Sequence, residues 1–455
     1  MLNVECRMMN AESQTDEFVS HSATQHSAFN IQLFFIMIKK LFTLFICMFS
    51  FAMTFTSCSD EAFDVDSVNK QTIFVFFPWT GDTSHPGLYD DLENNLDSIS
   101  EGIIAKKGLN DSRVLVFFSE KHNQSTLYDL QYDAKTKKVN RVPIKKYEGN
   151  SYCSAKGFAD LLNDVKQNAE ALNYALIIGA HGCGWTYAED WNNYPYKARP
   201  SFGSSSPKSN SFSGINFGSD SDEPHTRFFG SVDLKDNAID VATLAEGIRE
   251  SGLKMQYILF DACYMGNVET AYELKDVTNF FIASSSEIMQ YGLPYKSLWN
   301  YINSSTPNYA GIISTSINFY NTTDYPYLNL AAIDCRELDG LASIMKEINS
   351  KYTLSENIDP ENIQHLDAFS PNLFYDMEAY VDSLYPSGYL LDQFKNQLNL
   401  TVKAAGHTDY AFSALYYKKT YIEIKNYCGL SISDPSQNNV AIKGREKTGW
   451  WKATH

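Results

Sequence analysis

Two apolar runs far apart in the chain constrain its folding most, because one ends in a histidine and the other in a cysteine. Tyr257-Ile258-Leu259-Phe260 leads straight into Asp261, Ala262 and Cys263. It is short, rich in β-branched and aromatic residues, and flanked on both sides by helical spacing. Such a run predicts a buried central strand of a parallel sheet. Asn173-Tyr174-Ala175-Leu176-Ile177-Ile178-Gly179-Ala180 has the same character and ends in His181-Gly182-Cys183-Gly184-Trp185. Groups at the carboxyl ends of such strands sit where open α/β sheets bind their ligands. The two runs therefore predict a Cys–His pair assembled in space from separate parts of the chain.

Composition narrows the partners. The 455 residues carry 54 acidic against 37 basic side chains, a formal charge of −17. That balance excludes nucleic acid, whose phosphates require the opposite sign. The eight cysteines include no CxxC pair and build no dense disulfide framework.

The amino-terminal region, residues 1–57, predicts an export signal. Met37 is the expected translation start. Lys39-Lys40, an apolar run from Leu41 to Phe55, and the small residues Thr56-Ser57 follow it. The run is shorter than the ~20 residues a spanning helix needs. Phe55-Thr56-Ser57-Cys58 resembles a bacterial lipobox, which implies lipidation of Cys58 and an outer-membrane lipoprotein. Ser59-Asp60-Glu61, with Asp64 and Asp66, resembles the surface-export signal of some Gram-negative lipoproteins. Residues 58–70 are expected to form a flexible tether.

From Gln71, strand and helix patterns alternate. Strands are expected at 72–77, 113–118, 175–180, 257–263 and 279–284. Helices are expected at 88–106, 154–171, 236–251 and 267–276, and an antiparallel hairpin at 126–144 on a sheet edge. This alternation predicts a mainly parallel sheet with helices on both faces, an α/β fold, over a core spanning 71–300. Residues 185–231, rich in Ser, Asn, Gly and Pro, interrupt it as a loop insertion. Residues 301–455 are expected to be mixed helices and strands packed on the core as a carboxyl-terminal extension.

The chemistry follows from the pair. A thiol attacks as thiolate, and an imidazole is suited to take its proton and return it to a departing amine. Gly182 leaves its N–H unshielded, so the Gly182 and Cys263 amides are candidate oxyanion donors. Against this stand the plainer alternatives of an inert core cysteine and a structural histidine.

His181-Gly182-x-Gly184-Trp185 followed by Phe260-Asp261-Ala262-Cys263-x-Met265 resembles the clostripain family of cysteine peptidases, which share the caspase-like fold with gingipains and legumains. Ala283-Ser284, Gly292-Leu293-Pro294-Tyr295 and Gly429-Leu430-Ser431-Ile432 extend the likeness. The resemblance implies an endopeptidase with His181 as acid–base and Cys263 as nucleophile. It also implies cleavage after Arg or Lys, for which Asp261, and second Glu287, are the expected substrate-binding carboxylates. Self-activation by cleavage in the 185–231 loop is implied too, with Lys197 and Arg199 as candidate positions. No cofactor is expected. Calcium at Asp220, Asp222 and Glu223, and zinc on His181, Cys183 and Cys263, are the alternatives. The rival expectation is a catalytically silent surface lipoprotein that binds peptide or glycan.

Overall fold

The computed structural model describes residues 69–187, 190, 229–413 and 420–455. Strand β1 (Asn69–Phe77) is covered on both faces. Ile73, Val75 and Phe77 point into one core and Phe74 and Phe76 into the other, as period-two alternation requires. Helix α1 (Tyr89–Ala105) follows and buries Leu92, Leu96, Ile99 and Ile103 along one stripe. Strand β2 (Ser112–Lys121) runs parallel to β1. Strands β3 (Gln124–Asp133) and β4 (Lys138–Glu148) form the expected hairpin at a sheet edge.

Helix α2 (Ala155–Asn168) starts where the Ser154 hydroxyl accepts the Gly157 N–H at 3.1 Å. Strand β5 (Ala171–Gly179) leads to β6 (His181–Gly182). With β7 (Phe229–Gly230) and β8 (Ala238–Ile239), β6 makes a small antiparallel sheet. The helix expected from residue 236 begins later. Helix α3 (Val241–Glu250) is capped by Asp240, which accepts the Thr243 N–H at 2.7 Å. Asp236 to Ala238 instead form a turn and the short strand β8.

Strand β9 (Met255–Asp261), helix α4 (Val268–Leu274) and strand β10 (Thr278–Ala283) complete the parallel centre. Helices α5 (Tyr295–Ile302) and α6 (Tyr309–Tyr320) precede β11 (Asn329–Asp334). Then come α7 (Leu338–Asn349), β12 (Tyr375–Asp376), α8 (Met377–Leu384), α9 (Tyr389–Thr401) and β13 (Val402–His407). The hairpin of β14 (Tyr410–Ser413) and β15 (Thr420–Glu423) follows, with β16 (Ser431–Ile432), α10 (Asn439–Gly444) and α11 (Gly449–Thr454) closing the chain.

The main sheet has nine strands in the order β13-β11-β10-β9-β5-β1-β2-β3-β4. Its five central strands are parallel, and antiparallel pairs extend both sides. Residues after 300 thus do more than pack on the core: β11 and β13 lengthen its sheet. One apolar layer joins α1, α5 and α6 to one face. The other joins α2, α3, α4, α7 and α11 to the opposite face. Among the described residues, no helix is long and apolar enough to cross a membrane. Cys58 and the whole of residues 1–57 lie outside the described residues.

Candidate active site

Strands β5 and β9 are hydrogen-bonded neighbours. Ile178 pairs with Phe260 and Gly179 with Asp261, both strands running the same way. The Ala180 N–H donates to the Asp261 carbonyl at 3.3 Å. The strands therefore end level, and His181 and Cys263 leave the sheet at the same edge. Gly182 brings the two exits into contact. A Cβ there would lie 2.5 Å from the Cys263 carbonyl oxygen, 3.0 Å from the Ala262 Cβ and 3.2 Å from the Cys263 nitrogen. Only glycine allows that approach.

His181 is half-buried, and its ring makes no hydrogen bond to any described residue. Burial lowers its pKa to about 4, so it is neutral at neutral pH. The Cys263 side chain is buried, with 7% of the residue exposed. Its sulfur accepts the Ile288 N–H at 3.4 Å and lies 3.7 Å from the Ile288 carbonyl oxygen. Burial pushes this thiol well above its ordinary value. The charge on Glu287 adds to that push, while the Ile288 N–H opposes it. The resting pair is thus a neutral thiol and a neutral imidazole. The Cys263 main-chain N–H makes no hydrogen bond to another described residue.

The two expected pocket carboxylates sit differently. Asp261 Oδ2 accepts the Leu293 N–H at 3.0 Å and the Tyr295 hydroxyl at 2.9 Å. The contact needs Gly292, at φ +66°, because a Cβ there would stand 2.5 Å from Oδ2. Asp261 Oδ1 has no hydrogen bond among the described residues. Burial raises the Asp261 pKa to about 6, leaving the group mostly ionised at neutral pH. Glu287 is buried and engaged. Its Oε1 accepts hydroxyls from both Tyr264 and Ser413, each at 2.7 Å.

Sequence patterns miss Tyr264. It adopts φ +58°, a conformation that costs a side-chain-bearing residue of order 1–2 kcal/mol. Nothing local in the sequence marks it, because the residues that hold it lie 23 and 149 positions away. Cys183 is buried on the histidine exit, where the Thr186 hydroxyl donates to its carbonyl at 2.9 Å. Trp185 ties that exit to the carboxyl-terminal segment by donating Nε1–H to the Ser433 hydroxyl at 2.8 Å. Among the described residues, no group of three or more His, Cys, Asp or Glu side chains is disposed to hold a metal ion. Lys197, Arg199, Asp220, Asp222 and Glu223 lie outside the described residues.

The profile of the clostripain family of peptidases matches residues 214–428, a span that includes Cys263 and begins beyond His181. Among solved structures, a secreted C11 cysteine protease from Bacteroides thetaiotaomicron, "iotapain", is 34% identical. That match covers 85% of this chain and 99% of the other, with a TM-score of 0.73. An inactive zymogen C11 protease from Parabacteroides distasonis has the same fold. It is 22% identical over 85% of this chain and 98% of the other, with a TM-score of 0.67. A further secreted C11 cysteine protease from B. thetaiotaomicron, in complex with an irreversible peptide inhibitor, also shares the fold. It is 19% identical over 85% and 98%, with a TM-score of 0.64. No curated protein matches the chain.

Proposed function

The chain belongs to the clostripain family of cysteine peptidases, and on that premise we propose that Cys263 is its nucleophile and His181 its acid–base. The observation that carries this assignment is the seam at Gly182, where the main chain after β5 rests directly on Ala262 and Cys263. His181 neutral at neutral pH is in the form that accepts the thiol proton. The sulfur then attacks the substrate carbonyl, and the imidazolium returns the proton to the leaving amine. The open Cys263 N–H, with Gly182 beside it, serves as oxyanion donor.

The preferred bond follows Arg or Lys. Asp261 supplies the countercharge, since Oδ2 is anchored by Leu293 and Tyr295 while Oδ1 has no hydrogen bond among the described residues. Substrates are peptides and proteins carrying basic residues. The buried, protonated thiol belongs to a latent form, which cleavage between 185 and 231, at Lys197 or Arg199, converts to the active one. The "secreted" description of the relative fits export, with Cys58 lipidated as the anchor to the outer membrane.

Hydrolysis of short Arg, Lys and Asp peptide amides tests this directly, beside Cys263→Ala. Arg and Lys substrates are expected to be cleaved, the Asp substrate left intact, and the variant inert. On a gel, the wild type is expected to be nicked and Cys263→Ala to run as one band. Turnover by the variant would remove Cys263 from the mechanism. Equal rates on all three substrates would remove Asp261 as selector.

A further inference from the structure

A tyrosine directly after the nucleophile is held in a backbone conformation that glycine would adopt without strain. Tyr264 has φ +58°, and a bulky residue persists there only when its surroundings over-determine it. Its ring stacks on Phe374 at 5.5 Å and 18°, with Phe369 at 5.6 Å. Its hydroxyl donates to Glu287 Oε1 at 2.7 Å and lies 3.0 Å from the Ser413 hydroxyl, which donates to the same oxygen. Glu287 and Ser413 are both buried, so these hydrogen bonds are shielded from water.

The turn has two consequences for the adjacent cysteine. The Tyr264 N–H reaches the Ser286 carbonyl at 2.9 Å and the Gly266 N–H reaches Ser284 at 2.7 Å, docking the turn on the exit of β10. The Cys263 N–H is left without a hydrogen bond among the described residues, while the sulfur receives the N–H of Ile288, the residue after Glu287. The 287–288 segment therefore holds Tyr264 through the Glu287 carboxylate and meets the Cys263 sulfur through the Ile288 N–H.

We propose that Tyr264, clamped by Glu287 and Ser413, is a positioning residue that sets the Cys263 thiol and main-chain N–H for attack. The inference rests on Cys263 being the nucleophile. It reassigns Glu287 from substrate countercharge to anchor of the turn.

Kinetics of the full chain on an Arg peptide amide test it with Tyr264→Phe, Ser413→Ala, Glu287→Ala and Cys263→Ala. Removing the tyrosine hydroxyl is expected to lower kcat roughly tenfold or more, with KM within about twofold, since misplacement weakens the transition state more than binding. Ser413→Ala, a milder cut of the same clamp, is expected to act in the same direction to a smaller extent. Glu287→Ala is expected to keep the ratio of Arg to uncharged substrate turnover, and its loss should not add to that of Tyr264→Phe. Wild-type kcat in Tyr264→Phe overturns the clamp, as does collapse of the Arg preference in Glu287→Ala. Either result leaves the nucleophile assignment standing. Residual turnover in Cys263→Ala overturns the assignment itself.

Discussion

The two ends of the proposed catalytic pair meet at a residue with no side chain. Gly182 lies so near Ala262 and Cys263 that even a methyl group has nowhere to go, since the opposing atoms are the Cys263 main chain and the Ala262 Cβ, none of which can swing away. Gly182→Ala is therefore expected to push the histidine exit off the cysteine exit and to cut kcat/KM by roughly a hundredfold, the scale of a reacting pair misplaced by about 1 Å. The chain should stay folded, because the strands beneath are untouched. Steady-state rates beside a thermal melt check this, and a variant as active as wild type would mean that the seam does not set the geometry. His181, Cys263, Gly182 and Asp261 were all visible in the sequence as residues ending apolar runs. Tyr264 and Ser413 were not, because their roles arise from a backbone angle and from hydroxyls that meet a carboxylate contributed by another element.

Helix α4 carries a carboxylate in a costly place. Glu269 is 1% exposed; Oε1 accepts the Ser433 N–H at 2.7 Å, and Oε2 has no hydrogen-bond partner. Burial, helped by the nearby Asp434, raises its pKa from 4.5 to about 8. The folded chain thus holds a proton that the unfolded chain releases across that interval. Its contribution to stability is fully present below about pH 4.5 and is lost as pH rises through about 8. The melting temperature is expected to fall from pH 5 to pH 8.5, and Glu269→Gln should flatten that fall by removing an amount of order 2–4 kcal/mol. Asp434, raised to about 7, works in the same direction and keeps some slope in the variant. Melts at both pH values decide it: an unchanged slope would place Glu269 outside the linkage. The start of α3 illustrates the limit of periodicity at this scale. Apolar spacing located the helix, but the Asp240 cap, and the pairing of Ala238 with Gly230, decided where it begins.

For the whole molecule, the last helix closes the layer that covers one face of the sheet. Trp450 is fully buried, and its ring meets Tyr272 of α4 edge-on at 5.7 Å. Trp450→Ala is expected to destabilise the fold by about 3–5 kcal/mol, the range for emptying a large core site. Urea unfolding followed by far-UV circular dichroism measures it, and a loss below about 1 kcal/mol would mean that α11 is dispensable to the core. The alternation of apolar strand and helix runs was enough to define an α/β chain with a parallel centre. They left open which strands are neighbours, and hence that residues after 300 return to the same sheet as β11 and β13.

By itself, the sequence determined the elements, the side chains at the ends of β5 and β9, and the family likeness, because apolar period and strand-end chemistry are local properties. Only the tertiary structure decided that those two ends are adjacent, that Asp261 is anchored through Oδ2, and that Glu287 serves a strained turn. Adjacency and hydrogen-bond partners depend on sheet order and loop closure between residues far apart in the chain, which no local pattern encodes.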